Sequence, residues 1–226
     1  MASGSASSPT AGPTAYLIYA WIREIHPLLW RRLLLRSDST LADLHWVLQI
    51  AFGWTDFHLH RFRIRKKDYA IPRHGLVEGH DARRVRLIDL AFRPNERFLY
   101  EYDFGDLWQV QARVEQAVPL LPDRTYPVCI GGRWGGPPED CGGPERFLEQ
   151  RDAAPWHVHE LLQTVVADIE TKDAEALLDH VEALHPWREW LATYRFDRRA
   201  VNRRLRQYAQ GDPGWRCVEE GGAPCD

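Results

Sequence analysis

The sequence is poor in cysteine and has no long hydrophobic run. Its four cysteines are spread over 226 residues, at Cys129, Cys141, Cys217 and Cys225. These spacings fit neither the close cysteine pairs of a zinc knuckle nor the dense pattern of a disulfide-stapled domain, so we expect reduced thiols. No segment reaches the roughly 20 consecutive apolar residues of a membrane-spanning helix. The sequence therefore predicts a protein without membrane contact.

The first residues also lack the features of a targeting segment. Residues 1–14, MASGSASSPTAGPT, have neither a basic start nor an apolar core, which argues against a secretory signal. We expect a disordered lead-in at 1–14, a single domain at 15–210 and a flexible tail at 211–226. Hydrophobic residues make up 44% and charged residues 27% of the chain, which excludes disorder for its bulk. The expected location is the cytoplasm.

Hydrophobic periodicity predicts strands and one well-defined helix in the N-terminal part. Apolar residues at both odd- and even-numbered positions of 15–25 indicate a strand buried on both faces, next to a second strand at 27–36. The helix begins after Thr40, which has Asp43 three positions on as in a capping box, and it ends at Gly53.

The C-terminal half divides into a loop region and a helical region. Six glycines and five prolines between 121 and 144 argue against regular secondary structure and favour an ordered, functional loop. Its Trp134 is a candidate contact for another protein. From Pro155 onward the pattern is helical, and Asp197 is the expected N-cap of the last helix.

The stretch YEYDFGDLWQV, residues 100–110, predicts a β-hairpin whose register decides where its carboxylates lie. A two-residue loop would place Glu101 and Asp103 on the apolar face, where unpaired carboxylates are costly to bury. A three-residue loop at 104–106 separates apolar from polar side chains, so we favour it. In that register Asp103 and Asp106 suit simple turn formation as well as a functional site.

Several stretches form an ordered set of motifs: PLLWRRLLL, TLADLHWVLQIAFGWTDFHLHRF, YEYDFGDLWQ, YPVCIGG, PPEDCGG and FDRRAVNRRL. The combination of DFGD-x-W with PPED-x-GG is specific. Over about residues 15–208 this set resembles the plasmid pRiA4b ORF-3 family. The resemblance implies an α+β fold, with a roll-like mixed sheet packed by helices and a helical C-terminal part. It also implies a gene of the kind carried on plasmids and insertion elements, and it brings no established activity.

The hairpin and the proline- and glycine-rich loop supply a candidate polar cluster. Its members are Glu101, Asp103, Asp106, Glu139 and Asp140, and the candidate metal ligands are His58, His60, Asp103 and Asp106. Carboxylates with histidines can hold a divalent cation that activates water, so a divalent-metal-dependent hydrolase is one hypothesis. It requires the two loops to meet. Alternatively, Glu139 and Asp140 cap a turn, and His60 is a hydrogen-bonded core histidine.

The segment 58–65 alternates between two faces, which predicts a strand with His58 and His60 on its apolar side. The candidate nucleic-acid contacts are Arg61, Arg63 and Arg65 on its other side, with Lys66, Lys67, Arg199, Arg203 and Arg206. The alternative is a solvated surface of arginines paired with nearby acids. We favour a binding or accessory protein of mobile elements with nucleic acid or another protein as its partner. The metal-dependent hydrolase is the alternative, and a divalent metal is not the favoured cofactor.

Overall fold

The fold is built on one eight-stranded sheet. The computed structural model describes residues 13–73, 79–171 and 174–216. The strands are β1 (Thr14–Ile22), β2 (Trp30–Arg36), β3 (His60–Ile64), β4 (Lys67–Ala70), β5 (His80–Asp81), β6 (Arg97–Tyr102), β7 (Trp108–Pro119) and β8 (Val128–Arg133). They lie in the order β5-β4-β3-β6-β7-β1-β2-β8. The pairings are antiparallel except between β4 and β5, so the sheet is mixed.

Four α-helices accompany the sheet in the described ranges. They are α1 (Leu41–Phe52), α2 (Gly143–Thr171), α3 (Ala174–Ala192) and α4 (Arg198–Gln210). The fold class is α+β, a roll-like mixed sheet packed by helices with a helical C-terminal part, as predicted. None of these helices, within the residues described, is both long and apolar enough to cross a bilayer.

Helix α1 begins and ends where its local sequence requires. The Thr40 hydroxyl accepts a hydrogen bond from the Asp43 amide at 3.1 Å, and the Asp43 carboxylate accepts one from the Thr40 amide at 2.7 Å. Gly53 ends the helix with a φ of 88°, a left-handed conformation that glycine adopts without steric cost. The apolar side of α1 includes the fully buried Leu44 and Leu48, and burying each such side chain contributes roughly 1.5–3 kcal/mol.

Strand β1 shows that the sheet is covered on one side only. Ile18, Ala20 and Ile22 are fully buried, whereas Tyr19 and Trp21 between them are half-buried on the opposite face. The prediction that this strand is buried on both faces is therefore wrong. Burial on both faces requires a second layer, and the described helices supply only one.

Strands β6 and β7 form the predicted hairpin. Tyr102 pairs with Trp108 on the covered face of the sheet, and Glu101 pairs with Gln109 on the opposite face. This separation of apolar from polar side chains is the register of the three-residue loop, which is confirmed. The pairing brings the strands together just before Asp103, so the hairpin tip projects beyond the sheet.

The region 121–144 contains a strand that the sequence did not predict. Strand β8 pairs with β2 at the sheet edge, where it has a single partner strand. Its glycines permit close packing, because a Cβ on Gly132 would lie 2.4 Å from a ring atom of Phe196. Pro127 and Pro137 flank the strand rather than interrupt it. The prediction that this region lacks regular structure is wrong for that reason.

Helix α2 begins at Gly143, well before the Pro155 at which the helical pattern was expected to start. Pro155 lies inside the helix, on its solvent-exposed side. The prediction for α4 is confirmed, because the Asp197 carboxylate accepts hydrogen bonds from the Arg199 and Ala200 amides.

The end of the described chain is packed rather than loose. Trp215 is 9% exposed and lies edge-on to Trp46 and Tyr208, with ring centroids 5.1 and 5.3 Å away. The predicted flexible tail is therefore wrong for 213–216, a 3-10 turn held by these aromatic contacts. Cys129 and Cys141 are free thiols.

Parts of the predicted lead-in and tail lie outside the described residues, namely residues 1–12 and 217–226 with Cys217 and Cys225. Thr14, the last residue of the predicted lead-in, belongs to β1.

Candidate functional site

The hairpin tip and the loop before α2 lie in contact, as the metal hypothesis requires. The Asp106 carboxylate accepts a hydrogen bond from the Gly142 amide at 2.9 Å. The backbones approach so closely that a Cβ on Gly143 would lie 2.7 Å from the Asp106 carbonyl oxygen. Glycine at this position therefore allows the two loops to touch.

A third segment, the connection between α1 and β3, brings His58 to the same place. Its Nε2 lies 2.8 Å from Oδ1 of Asp140 and 3.5 Å from Oδ2 of Asp103. This nitrogen is buried and, although it lies within ion-pair distance of both carboxylates, it forms no well-aligned hydrogen bond with the described residues. One ligand atom from each of His58, Asp103 and Asp140 lies within 4.8 Å of the others. We call these three residues the candidate ion site.

Asp103 has the contacts of a turn-forming residue and also faces His58. Its Oδ1 accepts hydrogen bonds from the Gly105 and Asp106 amides at 2.9 and 3.3 Å, as a turn-forming residue does. Its Oδ2 faces His58. The residue is 6% exposed and has a φ of 55°. Asp140 has a similar φ of 56° and a side chain that is 68% exposed. Left-handed backbone at both positions is compatible with aspartate, which tolerates it better than most residues.

Glu139 fastens the loop that carries Asp140. Its carboxylate accepts hydrogen bonds from the Thr55 amide at 3.1 Å, from the Thr55 hydroxyl and from the Tyr102 hydroxyl. Burial, and then the hydrogen bond to Glu139, raise the pKa of Tyr102 well above its usual value, so it donates as a neutral phenol. With its oxygens engaged by these donors, Glu139 holds Asp140 in position.

The same loop packs against the C-terminal end of α1. The Trp54 indole donates a hydrogen bond to the Pro137 carbonyl at 3.2 Å. A Cβ on Gly136 would lie 1.5 Å from the Phe52 carbonyl oxygen, so only glycine fits. The position of the candidate ion site is thus determined by contacts with a helix as well as with the hairpin.

Besides Glu139, three of the predicted site residues are not part of the candidate ion site. Glu101 lies on the opposite face of the sheet, where it pairs with Arg61 at 2.7 Å. Asp106 holds the Gly142 amide and supplies no atom to the group. His60 belongs to a different cluster. His58 and His60 do not share a face because His58 precedes the first residue of β3, and the alternation of side chains holds only within a strand.

His60 instead joins a buried network that the sequence did not reveal. Its ring stacks on His45 at 3.7 Å, and its Nε2 accepts a hydrogen bond from the Ile71 amide at 3.3 Å. His45 bonds to the Tyr100 hydroxyl at 2.9 Å and to Asp56 at 3.1 Å. Single polar residues from four segments meet here, so no local motif marks the network.

Burial keeps both histidines of this network neutral. It lowers the pKa of His60 to about 2 and that of His45 well below its usual value. Arg73 also pairs with Asp56. Ligand atoms of His45, Asp56 and His60 lie close together, but parallel stacked rings direct their nitrogen lone pairs into separate planes. Since protein partners already satisfy these groups, we interpret the network as structural.

The predicted nucleic-acid contacts on β3 are largely paired with acids. Arg61 and Arg63 both lie near Asp68 and Glu101, and Arg65 pairs with Glu96 at 2.6 Å. The remaining candidates are exposed, namely Lys66 and Lys67 after β3 and Arg199, Arg203 and Arg206 on α4. The buried Leu205 faces the core from that helix. The basic candidates therefore lie on two different parts of the chain, the β3–β4 segment and α4.

Comparison with known proteins agrees with the motifs. The family model described as plasmid pRiA4b ORF-3-like protein matches residues 14–204. The uncharacterized protein y4hQ of Sinorhizobium fredii (strain NBRC 101917 / NGR234) is 34% identical over 139 residues, covering 61% of this chain and 71% of that protein. The crystal structure of MM3350, a protein of unknown function from Methanosarcina mazei Go1, matches with a TM-score of 0.59 and 28% identity, covering 84% of this chain and 98% of that one. The chain belongs to the plasmid pRiA4b ORF-3-like family.

Proposed function

We propose that the protein binds a first-row divalent cation at His58, Asp103 and Asp140 and uses it to activate water in a hydrolytic reaction. The observation that carries this proposal is the convergence of three ligand atoms from three separate segments within 4.8 Å of one another. The buried Nε2 of His58 supports it, because this nitrogen lies 2.8 and 3.5 Å from two carboxylate oxygens without a well-aligned hydrogen bond to either, and an ion would engage all three atoms.

The distances suit an ion. Bonds of about 2.0–2.2 Å from a metal to nitrogen or oxygen place neighbouring ligand atoms roughly 3.0–3.5 Å apart. The His58 nitrogen lies 2.8 and 3.5 Å from the two carboxylate oxygens. An imidazole with two carboxylates favours ions such as Zn²⁺ and Mn²⁺. The two negative charges would also balance the charge of the cation.

Three protein ligands also leave room for water. Catalytic ion sites characteristically keep an open position, and a water bound there loses a proton near neutral pH. The exposed side of the candidate ion site lies at Asp140, whose side chain is 68% exposed. Solvent and a substrate would reach the ion from that direction. The hydrolytic part of the proposal rests on this opening.

A nucleic-acid partner, the other hypothesis from the sequence, gains less support from β3. Glu101 and Asp68 pair with the arginines of that strand, Glu96 pairs with Arg65 just after it, and these acids offset the arginine charges. Membership in a family named after a plasmid reading frame is compatible with an accessory role in mobile elements, and we keep that role as the wider setting of the proposal.

Calorimetric titration of the chelator-treated full chain with Zn²⁺ and Mn²⁺ tests the ion site. We expect one tightly bound ion, and its loss in Asp103→Asn and Asp140→Asn. Asparagine at position 103 keeps the Oδ1 acceptor that holds the hairpin turn, and the Asp140 side chain is 68% exposed, so both variants should fold. Asp123→Asn, a change at an exposed aspartate between β7 and β8, is the control and should bind as the parent does. Absence of binding, or equal binding by Asp140→Asn, would overturn the site.

Hydrolysis is tested with bis(p-nitrophenyl) phosphate and p-nitrophenyl acetate as probes. We expect turnover of at least one probe that depends on the added ion and disappears in Asp140→Asn. An ion-loaded protein that hydrolyses neither probe would contradict the hydrolytic role and leave ion binding intact.

A further inference from the structure

The open face of the sheet carries a patch of aromatic and arginine side chains. Residues paired directly across antiparallel strands project from the same face. Trp21 pairs with Trp30, and Tyr19 pairs with both Arg32 and Arg113. Arg97 pairs with Arg113. We call these six residues, Tyr19, Trp21, Trp30, Arg32, Arg97 and Arg113, the open-face patch.

This patch lies opposite the helices. The side chains that alternate with Tyr19 and Trp21 on β1 are fully buried in the core that α1 helps to form. From β2, Arg31 points into that side and donates a hydrogen bond to the Ala51 carbonyl of α1 at 2.6 Å. The three aromatic residues of the patch are half-buried. They therefore form part of the solvent-facing surface.

The aromatic rings form a continuous row across two strands. The ring centroid of Tyr19 lies 5.4 Å from those of both Trp21 and Trp30. Beyond Trp30 the row meets Gly131 of β8, where a Cβ would come within 3.3 Å of the indole ring. Three neighbouring rings on a sheet surface provide a platform on which planar groups can stack.

Guanidinium groups surround this row. Arg32 and Arg113 lie over Tyr19 at 5.3 and 5.5 Å, and Arg97 lies over Trp21 at 5.7 Å. Glu115 is shared between Arg32 and Arg113, so one carboxylate offsets two cations. Arg97 is exposed and forms no ion pair with residues 13–73, 79–171 or 174–216. The patch therefore carries a net positive charge beside its stacking surface.

We propose that the open-face patch binds single-stranded nucleic acid. Bases would stack on Tyr19, Trp21 and Trp30, and phosphates would contact the three arginines, because a single strand offers both unpaired π-faces and a regular line of negative charge. In a duplex the bases already stack on one another and are unavailable to a flat sheet. The patch lies on the face opposite the Tyr102 and Trp108 side of the hairpin, and this proposal does not depend on the candidate ion site.

Fluorescence anisotropy of a labelled oligothymidylate with the full chain tests the proposal. We expect Trp21→Ala and Trp30→Ala each to weaken binding by about tenfold, the usual consequence of losing one stacked base. Trp156→Ala removes a tryptophan that is 73% exposed on α2 and should bind as the parent does. Circular dichroism reports whether each variant folds.

Arg97→Gln changes an exposed side chain and keeps the test valid even if a tryptophan variant misfolds. It should reduce the slope of log affinity against log salt by about 0.7, the value for one phosphate contact on a single strand. Arg84→Gln, at a side chain that is 87% exposed, should leave the slope unchanged.

Several outcomes would overturn the proposal: no binding, equal affinity in Trp21→Ala and Trp156→Ala, preference for duplex, or equal competition by polyphosphate, which has charge without bases. Asp140→Asn should bind the oligonucleotide normally without added metal, so failure of the ion site can be distinguished from failure of this one.

Discussion

At the scale of single residues, Glu139 is the side chain that controls where Asp140 lies. Donors from Thr55 and Tyr102 hold its carboxylate, and Asp140 is the next residue in the chain. Carboxylates that position a ligand in this way typically affect affinity by 10- to 100-fold when they are altered. In the proposed ion site Glu139 is thus a positioning residue rather than a ligand.

We therefore expect Glu139→Gln to weaken Zn²⁺ binding by at least about tenfold while the fold is retained. The neutral amide accepts weaker hydrogen bonds than a carboxylate, so the loop loses part of its attachment. Calorimetric titration measures the change. Glu149→Gln, at an exposed glutamate of α2, is the matched control. Unchanged affinity in Glu139→Gln would show that the loop keeps its position without this contact.

At the scale of elements, α4 protects the edge of the sheet. The Asn202 side chain accepts a hydrogen bond from the Cys129 amide and donates one to the Cys129 carbonyl, both at 2.8 Å. An edge strand otherwise presents such groups unpaired and is open to pairing with other chains. The Asn202 side chain thus satisfies one amide and one carbonyl of the edge strand, as a neighbouring strand would.

Replacing Asn202 by alanine should lower the free energy of unfolding by roughly 1–3 kcal/mol, because two backbone groups lose their partner. Urea denaturation measures this change. Arg206→Ala, at an exposed position of the same helix, should change stability by less than about 0.5 kcal/mol. Equal stability of the two variants would mean that water replaces the asparagine at no cost.

The elements that were predicted correctly are those with a local signal. The Thr40 capping box defines α1, and the alternation of polar and apolar side chains fixes the hairpin register. Strand β8 has no such signal, since its glycines and flanking prolines resemble a loop and its partner β2 lies far away in sequence. The glycines serve packing against Phe196 instead. The predicted start of the C-terminal helical region at Pro155 was also wrong, because Pro155 lies inside α2.

The candidate ion site was predictable in part. The metal hypothesis required the hairpin tip to meet the Asp140 loop, which it does, and Asp103 was named as a ligand. The choice between His58 and His60 depended on where β3 begins, which alternation alone does not reveal. The network of His45 and Asp56 was missed, because its members are isolated polar residues from separate segments.

At the scale of the whole molecule, stability should depend on pH through the buried histidines. The pKa of His60 falls to about 2 on folding, and that of His45 also falls well below its usual value, because burial disfavours the charged form. In the unfolded chain histidine titrates at about 6.5. Below that pH the unfolded chain takes up protons that the native state excludes, so stability declines as pH falls.

We expect the free energy of unfolding to decrease by up to about 1.4 kcal/mol per pH unit for each of these histidines as pH falls from 6.5 towards 5. It should be nearly flat between pH 7.5 and 8, where these histidines are neutral in both the folded and the unfolded chain. Urea midpoints at several pH values measure the slope. The control His159→Gln, at an exposed histidine of α2, should show the same slope of stability against pH as the parent. A pH-independent urea midpoint in the parent would mean that the buried network opens to solvent.

The connection between α1 and β3 has a consequence for how the molecule responds to ligands. Trp54 bonds to Pro137, Thr55 to Glu139, Asp56 to His45, and His58 approaches Asp140. Four residues of the short segment 54–58 thus connect the end of α1, the buried polar network and the loop that carries Asp140. We therefore expect occupancy of the proposed ion site to be coupled to the order of the C-terminal end of α1, and by reciprocity a change that weakens one should weaken the other to the same extent.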